Sequence, residues 1–259
     1  MVAIHAVGQH VDMDESREGA ARDAFAFGVA LLSGRVTVGA DDPFEAGCGA
    51  LMSAVNLNDP EWSPRAAYVL GMTLFNRGDL DGAGNYFTIA ERSGHPEWSV
   101  GGLIGRAYLA AGERRPDEAA RLFEEVIASG QDQFLGAAWY NLGTIHQQQQ
   151  RFSEAAEAYR QAMQTEDPEF APKAATNLGF VLANYLGDPT GARQAFQAAI
   201  ASGDPEQARL AADNLSVMDE LDRLRAAGVP LPSGEDGVDV SVPTTEGRVK
   251  RRWWFPRQR

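Results

Sequence analysis

Residues 131–170 read QDQFLGAAWYNLGTIHQQQQRFSEAAEAYRQAMQTEDPEF, and this stretch decides the fold. It begins and ends with a polar turn followed by an aromatic residue, at 131–134 and again at 167–170. Related turns are Asp59-Pro60-Glu61-Trp62, His95-Pro96-Glu97-Trp98 and, without the aromatic residue, Asp204-Pro205-Glu206-Gln207. The steps between the five copies are 36, 36, 36 and 37 residues. A fixed period of this length is typical of stacked supersecondary units, so the sequence predicts a solenoid and favours binding over catalysis.

A second set of markers lies inside each period. Four repeats have an aliphatic residue followed by glycine, then an alanine 12 to 14 residues after the glycine, and then a large aromatic residue four positions later. These markers are Leu70-Gly71, Ile104-Gly105, Leu142-Gly143 and Leu178-Gly179; Ala83, Ala119, Ala155 and Ala192; and Phe87, Phe123, Tyr159 and Phe196. A spacing of four residues lies on one helix face, so each repeat is predicted to contain two short helices. The turns between them are predicted at Gly78-Asp79, Gly112-Glu113 and Gly187-Asp188-Pro189.

These residues resemble a known family. Trp139-Tyr140-Asn141-Leu142-Gly143, Phe152, Glu154-Ala155, Tyr159, Ala162 and Pro168 are similar to a tetratricopeptide repeat (TPR), almost position for position. The resemblance covers roughly residues 17 to 227. The segment Ser-Gly-His-Pro-Glu at 93–97 is similar to a linker of bacterial TPR proteins. Sel1-like repeats share the 36-residue length, but this chain mostly lacks their extra glycine-rich turn.

The resemblance implies an all-α solenoid of about five helix-turn-helix TPR units with a C-terminal capping helix. The predicted units are 17–62, 63–98, 99–134, 135–169 and 170–206, followed by the cap at 207–227. The first unit is irregular, because a loop at 36–42 interrupts it. Residues 1–16 are predicted to be an N-terminal extension. Residues 228–247 are rich in Pro, Gly, Ser and acidic residues and are predicted to be a flexible linker, which leaves 248–259 as a basic and aromatic tail.

The composition predicts a cytoplasmic protein that is not an enzyme. The one cysteine, Cys48, cannot form a disulfide within the chain, and neither a secretory signal nor a long apolar segment is visible. The sequence contains no phosphate-binding Gly-rich loop with Lys and no paired-cysteine or His-Glu-x-x-His metal motif. We therefore expect no cofactor and no metal.

Charge is distributed unevenly along the chain. The last twelve residues hold six Arg or Lys and no acid, whereas the remaining residues carry 17 basic against 36 acidic side chains. The tail residues predicted to dock are Lys250, Arg251, Arg252, Trp253, Trp254, Phe255 and Arg257. Four roles are open for this tail: a solvated end, docking on an acidic protein surface of this chain or a partner, contact with an anionic membrane, and binding of nucleic acid. The acidic solenoid disfavours the last two, because it would be repelled from both surfaces.

The concave side of a TPR array is lined by the first helix of each unit, which by resemblance implies a peptide-binding groove. Its predicted residues are Arg65, Tyr68, Met72, Phe75, Asn76, Arg106, Tyr140, Asn141, Thr144, Gln147, Lys173, Asn177, Phe180 and Asn184. Asn141 and Asn177 occupy equivalent positions and could both donate to and accept from a peptide backbone. The family's clamp for a terminal carboxylate is only partly present, since Lys173 is the sole lysine of the array. Each of these residues is equally well explained as an exposed polar side chain or a packing contact.

The sequence thus predicts a non-catalytic scaffold that binds a peptide or protein in the groove and uses the tail as a second docking element. Two alternatives stay open: a peripheral membrane adaptor anchored by the tail, and a self-associating protein whose tail docks on an acidic solenoid.

Overall fold

A computed structural model of the chain describes residues 3–36, 42–228, 238–244 and 247–253, with side chains from residue 15 to residue 228 within those ranges. The chain divides into two compact units, residues 1–131 and 132–259. In both, helices pack in adjacent pairs, which confirms the predicted TPR α-solenoid fold class.

Unit 1 contains three helix pairs within its described residues. The helices are α1 (Ala3–Leu32), α2 (Pro43–Asn56), α3 (Trp62–Arg77), α4 (Leu80–Glu91), α5 (Trp98–Gly112) and α6 (Pro116–Ser129). Within the unit, each helix from α1 to α5 packs against the next one in the sequence. The odd-numbered helices are the first helices of their pairs.

Unit 2 contains two helix pairs, a further helix and a β-hairpin within its described residues. Its elements are α7 (Asp132–Gln148), α8 (Phe152–Gln164), α9 (Phe170–Val181), the π-helical turn Leu182–Leu186, α10 (Pro189–Ala201), α11 (Pro205–Ala226), β1 (Val238–Thr244) and β2 (Gly247–Trp253). The two strands are antiparallel, with Val238 opposite Trp253 and Thr244 opposite Gly247. Strand β1 lies alongside α11.

Four of the five recurring turns begin with a residue whose side chain caps the helix that follows, namely Asp59, His95, Asp167 and Asp204. Oδ1 of Asp59 accepts hydrogen bonds from the backbone N–H groups of Glu61 and Trp62 at 3.0 and 2.8 Å. Asp167 makes the same pair of bonds at the start of α9, both at 2.9 Å. A side-chain acceptor here satisfies N–H groups that have no partner inside the helix, and the intervening proline has no N–H to satisfy.

His95 performs this capping role at the start of α5 with an imidazole nitrogen. Its Nδ1 accepts from the N–H groups of Glu97 and Trp98 at 3.1 and 3.2 Å. Because both backbone groups can only donate, Nδ1 carries no proton, and the neutral ring has its hydrogen on Nε2. Nε2 lies 3.1 Å from Oε2 of Glu61 and donates to it.

Two of the three predicted turns are confirmed, and the third is displaced. Gly78 and Gly187 end their helices in the left-handed region, with φ of 84° and 65°. At the third turn α5 continues through Gly112, and Arg114 adopts the positive φ of 59° instead. A left-handed residue at this position ends a helix while allowing the chain to reverse.

Glycines on the first helices allow the two helices of a pair to approach each other. A Cβ at Gly71, Gly143 or Gly179 would lie 2.6, 2.8 or 2.6 Å from the ring of Phe87, Tyr159 or Phe196 in the same pair. All three rings are fully buried. The absence of a side chain at these glycines therefore lets the aromatic ring of the second helix pack directly against the first helix in these three pairs.

The α5–α6 pair departs from this register. A Cβ at Gly105 would meet Phe87 of the preceding pair and not Phe123 of its own. Ala107, which is fully buried, stands twelve residues before Ala119, as Gly71 stands twelve before Ala83. The assignment of Ile104-Gly105 to the Leu70-Gly71 position was wrong by two residues, because Gly105 packs against the ring of the preceding pair, whereas Ala107 keeps the twelve-residue spacing to the alanine of its own pair.

The single step of 37 residues has a structural counterpart. In the turn Leu182–Leu186 the helix widens, and the N–H groups of Gly187 and Asp188 both donate to the carbonyl oxygen of Leu182. A π-helical turn accommodates one additional residue without ending the helix. The extra residue of the fifth repeat is thus taken up at the end of its first helix.

Both ends of the described chain differ from the expected segments. Helix α1 runs back to Ala3, through most of the predicted N-terminal extension. Strand β1 lies within the predicted flexible linker, and β2 includes the start of the predicted tail. The alternation of Val238, Val240 and Val242 with polar residues has the two-residue period of a strand, a signal that the composition of the segment obscured.

Candidate functional site

The predicted groove residues lie on first helices of pairs, and they fall in both units. Helix α3 carries Arg65, Tyr68, Met72, Phe75 and Asn76, and α5 carries Arg106. Helix α7 carries Tyr140, Asn141, Thr144 and Gln147, and α9 carries Lys173, Asn177 and Phe180, while Asn184 lies in the π-helical turn. The residues on α3 and α5 belong to unit 1, and those on α7, α9 and the π-helical turn belong to unit 2.

In unit 1 the guanidinium group of Arg65 is surrounded by aromatic rings. Its Cζ lies 5.0 Å from the ring centroid of Phe25, 5.5 Å from that of Trp62 and 5.3 Å from that of Trp98. These rings come from α1, α3 and α5, so one side chain joins three successive helix pairs. We call Arg65 and these three rings the Arg65 cluster. Attraction between a cation and the faces of rings at these distances stabilises the arrangement.

Next to the Arg65 cluster lies an apolar patch of half-buried side chains. It consists of Tyr68, Met72 and Phe75 on α3 and Tyr108 on α5, and we call it the α3–α5 face. The ring centroids of Phe75 and Tyr108 are 6.2 Å apart, and those of Tyr68 and Trp98 are 5.5 Å apart. Burial raises the pKa of Tyr68 to about 12, so its hydroxyl is neutral at physiological pH.

Sequence reasoning missed several members of this surface. Phe25, Trp62, Trp98 and Tyr108 were not predicted to belong to it. The tryptophans recur 36 residues apart directly after the capping motif, which was a usable signal. Tyr108 was missed because of the two-residue register error in α5. It follows Ala107 as Met72 follows Gly71, and so occupies the helix position that was sought there.

Arg106, the residue predicted from α5, is paired inside unit 1. Its Nη1 donates to both carboxylate oxygens of Glu91 on α4, at 2.8 and 2.7 Å. In the corrected register Arg106 occupies the position on α5 that Leu70 occupies on α3. Its partner Glu91 lies on α4, the second helix of the preceding pair. The guanidinium of Arg106 therefore joins α5 to the preceding helix pair.

In unit 2 several predicted groove residues converge on the hydroxyl of Tyr159. This hydroxyl donates to Oε1 of Gln147 at 2.8 Å and accepts from Nδ2 of Asn177 at 3.4 Å. Oγ1 of Thr144 lies 3.3 Å away. Burial, which outweighs these hydrogen bonds, raises the pKa of Tyr159 to about 12. Phenylalanine occupies the equivalent position in the α3–α4, α5–α6 and α9–α10 pairs, so among these four pairs the polar network is particular to α7, α8 and α9.

Neighbouring groups on α7 and α9 are also engaged within unit 2. Nδ2 of Asn141 donates to the carbonyl oxygen of Ala137 at 2.8 Å. Lys173 donates to Glu169 at 2.8 Å and lies 5.2 Å from the ring centroid of Phe170. The amide oxygen of Asn141 remains an acceptor that a ligand could reach, whereas one of its two donor hydrogens is already used.

Asn184 does not fit the groove role predicted for it. Its side chain is buried, with 2% of the residue exposed, and its Nδ2 donates to the carbonyl oxygen of Phe180 at 2.8 Å. Its Oδ1 has no hydrogen-bond partner among the described residues. The π-helical turn rotates Asn184 into the interior of unit 2, which explains the correction, since an ordinary helical register had been assumed.

The tail residues divide between described and undescribed parts of the chain. Lys250, Arg251, Arg252 and Trp253 lie in β2, where the backbone is described. Trp254, Phe255 and Arg257 lie outside the described residues. In the described part of the chain, no group of three His, Cys, Asp or Glu side chains could hold a metal ion, and none of its helices meets the length and hydropathy needed to span a bilayer.

Comparisons with known proteins agree with the repeat architecture. The sequence profile of the tetratricopeptide repeat family matches residues 103–169, which run from α5 into the end of the turn before α9. No curated protein matches the sequence.

Three solved structures show the same fold at low sequence identity. MamA from Desulfovibrio magneticus RS-1 is 19% identical, with a TM-score of 0.51 over 71% of this chain and 97% of that one. Aspartyl phosphate phosphatase F from Bacillus subtilis is 15% identical, with a TM-score of 0.61 over 85% of this chain and 64% of that one. BtubC from P. vanneervenii is 19% identical, with a TM-score of 0.50 over 90% of this chain and 97% of that one. At these identities the likeness concerns the fold alone.

Proposed function

This chain carries tetratricopeptide repeats, and from that premise we propose that it is a non-catalytic scaffold that binds a segment of a partner protein on the first helices of its repeats. The TPR fold is typically an interaction scaffold. Fold by itself does not fix function, so the proposal rests on the side chains that the first helices present.

The observation that carries the proposal is the α3–α5 face. Four large side chains, three of them aromatic, lie side by side there and are half-buried, so that part of each ring or chain still faces solvent. Tyr, Phe and Met are enriched where proteins bind one another. The two aromatic types bury a large apolar area with only two side-chain torsions, and the flexible Met side chain adapts to the surface it meets. Contiguous apolar surface of this kind is a marker of an interaction site.

The partner surface on unit 2 is proposed to be more polar. The Tyr159 network, the free amide oxygen of Asn141 and the ring of Tyr140 provide hydrogen-bonding groups beside an aromatic side chain. Such a combination suits the backbone of an extended peptide. Because Asn177, Thr144 and Gln147 already share the Tyr159 hydroxyl, a ligand would have to bond to their remaining atoms.

A site-specific crosslinking experiment tests the proposal. The photoreactive residue p-benzoylphenylalanine replaces Tyr108 on the α3–α5 face or, as a matched control, Ile89, a 44% exposed side chain on α4. We expect a discrete protein adduct from position 108, its absence from position 89, and its loss when Met72→Glu is added. Equal adducts at both positions, or an adduct that Met72→Glu leaves unchanged, would contradict a binding role for this face.

The tail is proposed as a second docking element that contacts an acidic protein surface. The supporting feature is charge: six basic residues in the last twelve against a strongly acidic remainder. The test replaces Lys250, Arg251 and Arg252 by Gln in the full chain, and light scattering compares the molar mass with that of the wild type at low and high salt.

Three outcomes of this test separate the alternatives. A larger wild-type species that both high salt and the substitutions convert to monomer supports self-association. Binding of the wild type but not the variant to vesicles of phosphatidylcholine with 30% phosphatidylserine supports a membrane adaptor. A monomer in both cases, with no vesicle binding, leaves docking on an outside protein, which the substitutions should then weaken.

A further inference from the structure

Among the residues that the structure describes, none accepts a hydrogen bond from the guanidinium group of Arg65. Arg65 is half-buried, and its guanidinium forms no hydrogen bond or ion pair with any residue that the structure describes. The other two cations among the predicted groove residues are different, since Arg106 is paired with Glu91 and Lys173 with Glu169.

Aromatic rings stabilise the charge of a guanidinium, but they do not satisfy its N–H groups. Five donors lie in the plane of the group, and ring faces interact with the plane itself. The three rings therefore fix the position of Arg65 and exclude water from part of its surface. The N–H groups at the edge of the guanidinium plane stay available to an acceptor. A charge held in this way interacts strongly with a counter-ion, because the surrounding rings lower the local dielectric.

We propose that the Arg65 cluster binds the carboxylate of an aspartate or glutamate side chain in the partner segment. A carboxylate matches the guanidinium fork with two parallel hydrogen bonds. Apolar residues on either side of the acidic residue would pack on Trp98 and on the α3–α5 face, which begins at Tyr68, 5.5 Å from Trp98. The ligand class is thus an acidic residue flanked by apolar ones. This inference rests on the proposed function and specifies its ligand.

The nearest acidic residue in the sequence, Glu61, does not supply the carboxylate for Arg65 among the described contacts. Glu61 lies one helical turn before Arg65, but its Oε2 accepts from Nε2 of His95 at 3.1 Å. The hydrogen bond to His95 holds the carboxylate of Glu61 away from the guanidinium. Since the chain has a formal charge of −13, acidic ligands are repelled at long range, and the binding test belongs at about 0.15 M salt, where this repulsion is screened within about 8 Å.

The test uses fluorine NMR of the full chain containing 5-fluorotryptophan. The signals of Trp62 and Trp98, which flank Arg65, are assigned with Trp62→Phe and Trp98→Phe. The probe is the peptide acetyl-Ala-Leu-Glu-Leu-Ala-amide, and its counterpart carries Gln in place of Glu. We expect saturable shifts of both signals with the Glu peptide and binding at least about fivefold weaker with the Gln peptide, as for the loss of one charged hydrogen-bonded pair.

Variants separate the carboxylate site from general peptide binding. Arg65→Gln should abolish the preference for Glu over Gln, whereas Arg77→Gln should keep it. Arg77 is a matched control because it is on the same helix and its guanidinium lies over one ring, that of Phe44. Equal binding of the two peptides by the wild type, absence of saturable shifts with either peptide, or an unchanged preference in Arg65→Gln overturns the proposal.

The crosslinking experiment distinguishes a failure of the proposed scaffold function from a failure of the proposed carboxylate site. If the adduct from position 108 forms and Arg65→Gln leaves it intact, the scaffold function stands and the carboxylate site is wrong. If the adduct is absent while the Glu peptide shows its preference, the carboxylate site stands and the proposed protein partner does not.

Discussion

The hydroxyl of Tyr159 donates a 2.8 Å hydrogen bond to Oε1 of Gln147, across the gap between the second and first helices of one repeat. Tyr159 is fully buried, and Phe87, Phe123 and Phe196 are its counterparts in three other pairs. The phenylalanines at this position fill space with an apolar ring. The hydroxyl of Tyr159 adds hydrogen bonds to polar side chains of α7 and α9. This hydroxyl ties two successive repeats of unit 2 together.

Replacing Tyr159 by Phe isolates the contribution of this hydroxyl. The ring fits, since phenylalanine fills the same position in neighbouring pairs, so no void forms. Gln147, Thr144 and Asn177 are half-exposed and can turn to water, and we expect a loss of about 1 kcal/mol in the free energy of unfolding. Urea unfolding followed by circular dichroism measures it. Unchanged stability would mean that the network contributes only to binding.

Two buried tyrosines predict a loss of stability at high pH. Burial raises the pKa of Tyr68 and of Tyr159 to about 12, above the unfolded value of about 10. A group whose pKa is raised on folding stabilises the fold fully below the unfolded pKa, and this contribution is lost as the pH rises from about 10 to about 12. Each tyrosine contributes at most roughly 3 kcal/mol, from two pKa units.

The measurement is urea unfolding at pH 9, 10 and 11, with tyrosinate absorbance at 295 nm recorded for the native protein. The unfolding midpoint should fall over this range, and it should fall less in Tyr159→Phe. Ionisation of all six tyrosines near pH 10 in the native protein would show that the two side chains are not protected.

The sequence was sufficient to predict the repeat because its markers reflect short-range geometry. A capping acceptor, a glycine at a helix contact and an aromatic residue four positions after an alanine each specify a local structure. Their recurrence fixed the helix pairs. The register of α5 could not be fixed in this way, since Gly105 satisfies the local pattern while packing against the ring of the preceding pair.

The candidate site was predictable only where side chains face outward in a regular helix. Asn184 was misplaced because a π-helical turn changes the direction of the residues it contains, and nothing but one extra residue in the period signals it. The Arg65 cluster escaped prediction for another reason. Its rings come from three helix pairs, and which of them approach one arginine depends on how the helices pack.

The close contact of Gly143 on α7 with a buried ring, set against an exposed glycine on α2, predicts opposite effects for two glycine-to-alanine substitutions. A Cβ at Gly143 would lie 2.8 Å from the ring of buried Tyr159, so Gly143→Ala should cost roughly 1 to 3 kcal/mol through overpacking. Gly49 is exposed on α2, with nothing within 4 Å of its added Cβ. Gly49→Ala should stabilise the chain by about 0.5 to 1 kcal/mol, because alanine loses less backbone entropy in a helix. Thermal unfolding of both variants checks the contrast, which equal effects would contradict.

The capping role of His95 predicts that an amide can replace it and a methyl group cannot. His95→Asn keeps a side-chain acceptor for the N–H groups of Glu97 and Trp98, as Asp59 and Asp167 do for their helices. It should change the free energy of unfolding by a few tenths of a kcal/mol, whereas His95→Ala should cost about 1 kcal/mol. Hydrogen exchange of the first amides of α5 locates the effect, and we expect faster exchange at Glu97 and Trp98 in the alanine variant alone. Because Trp98 is one of the rings around Arg65, that variant should also weaken binding of the Glu peptide, so equal affinity in the two variants would separate the cap from the site.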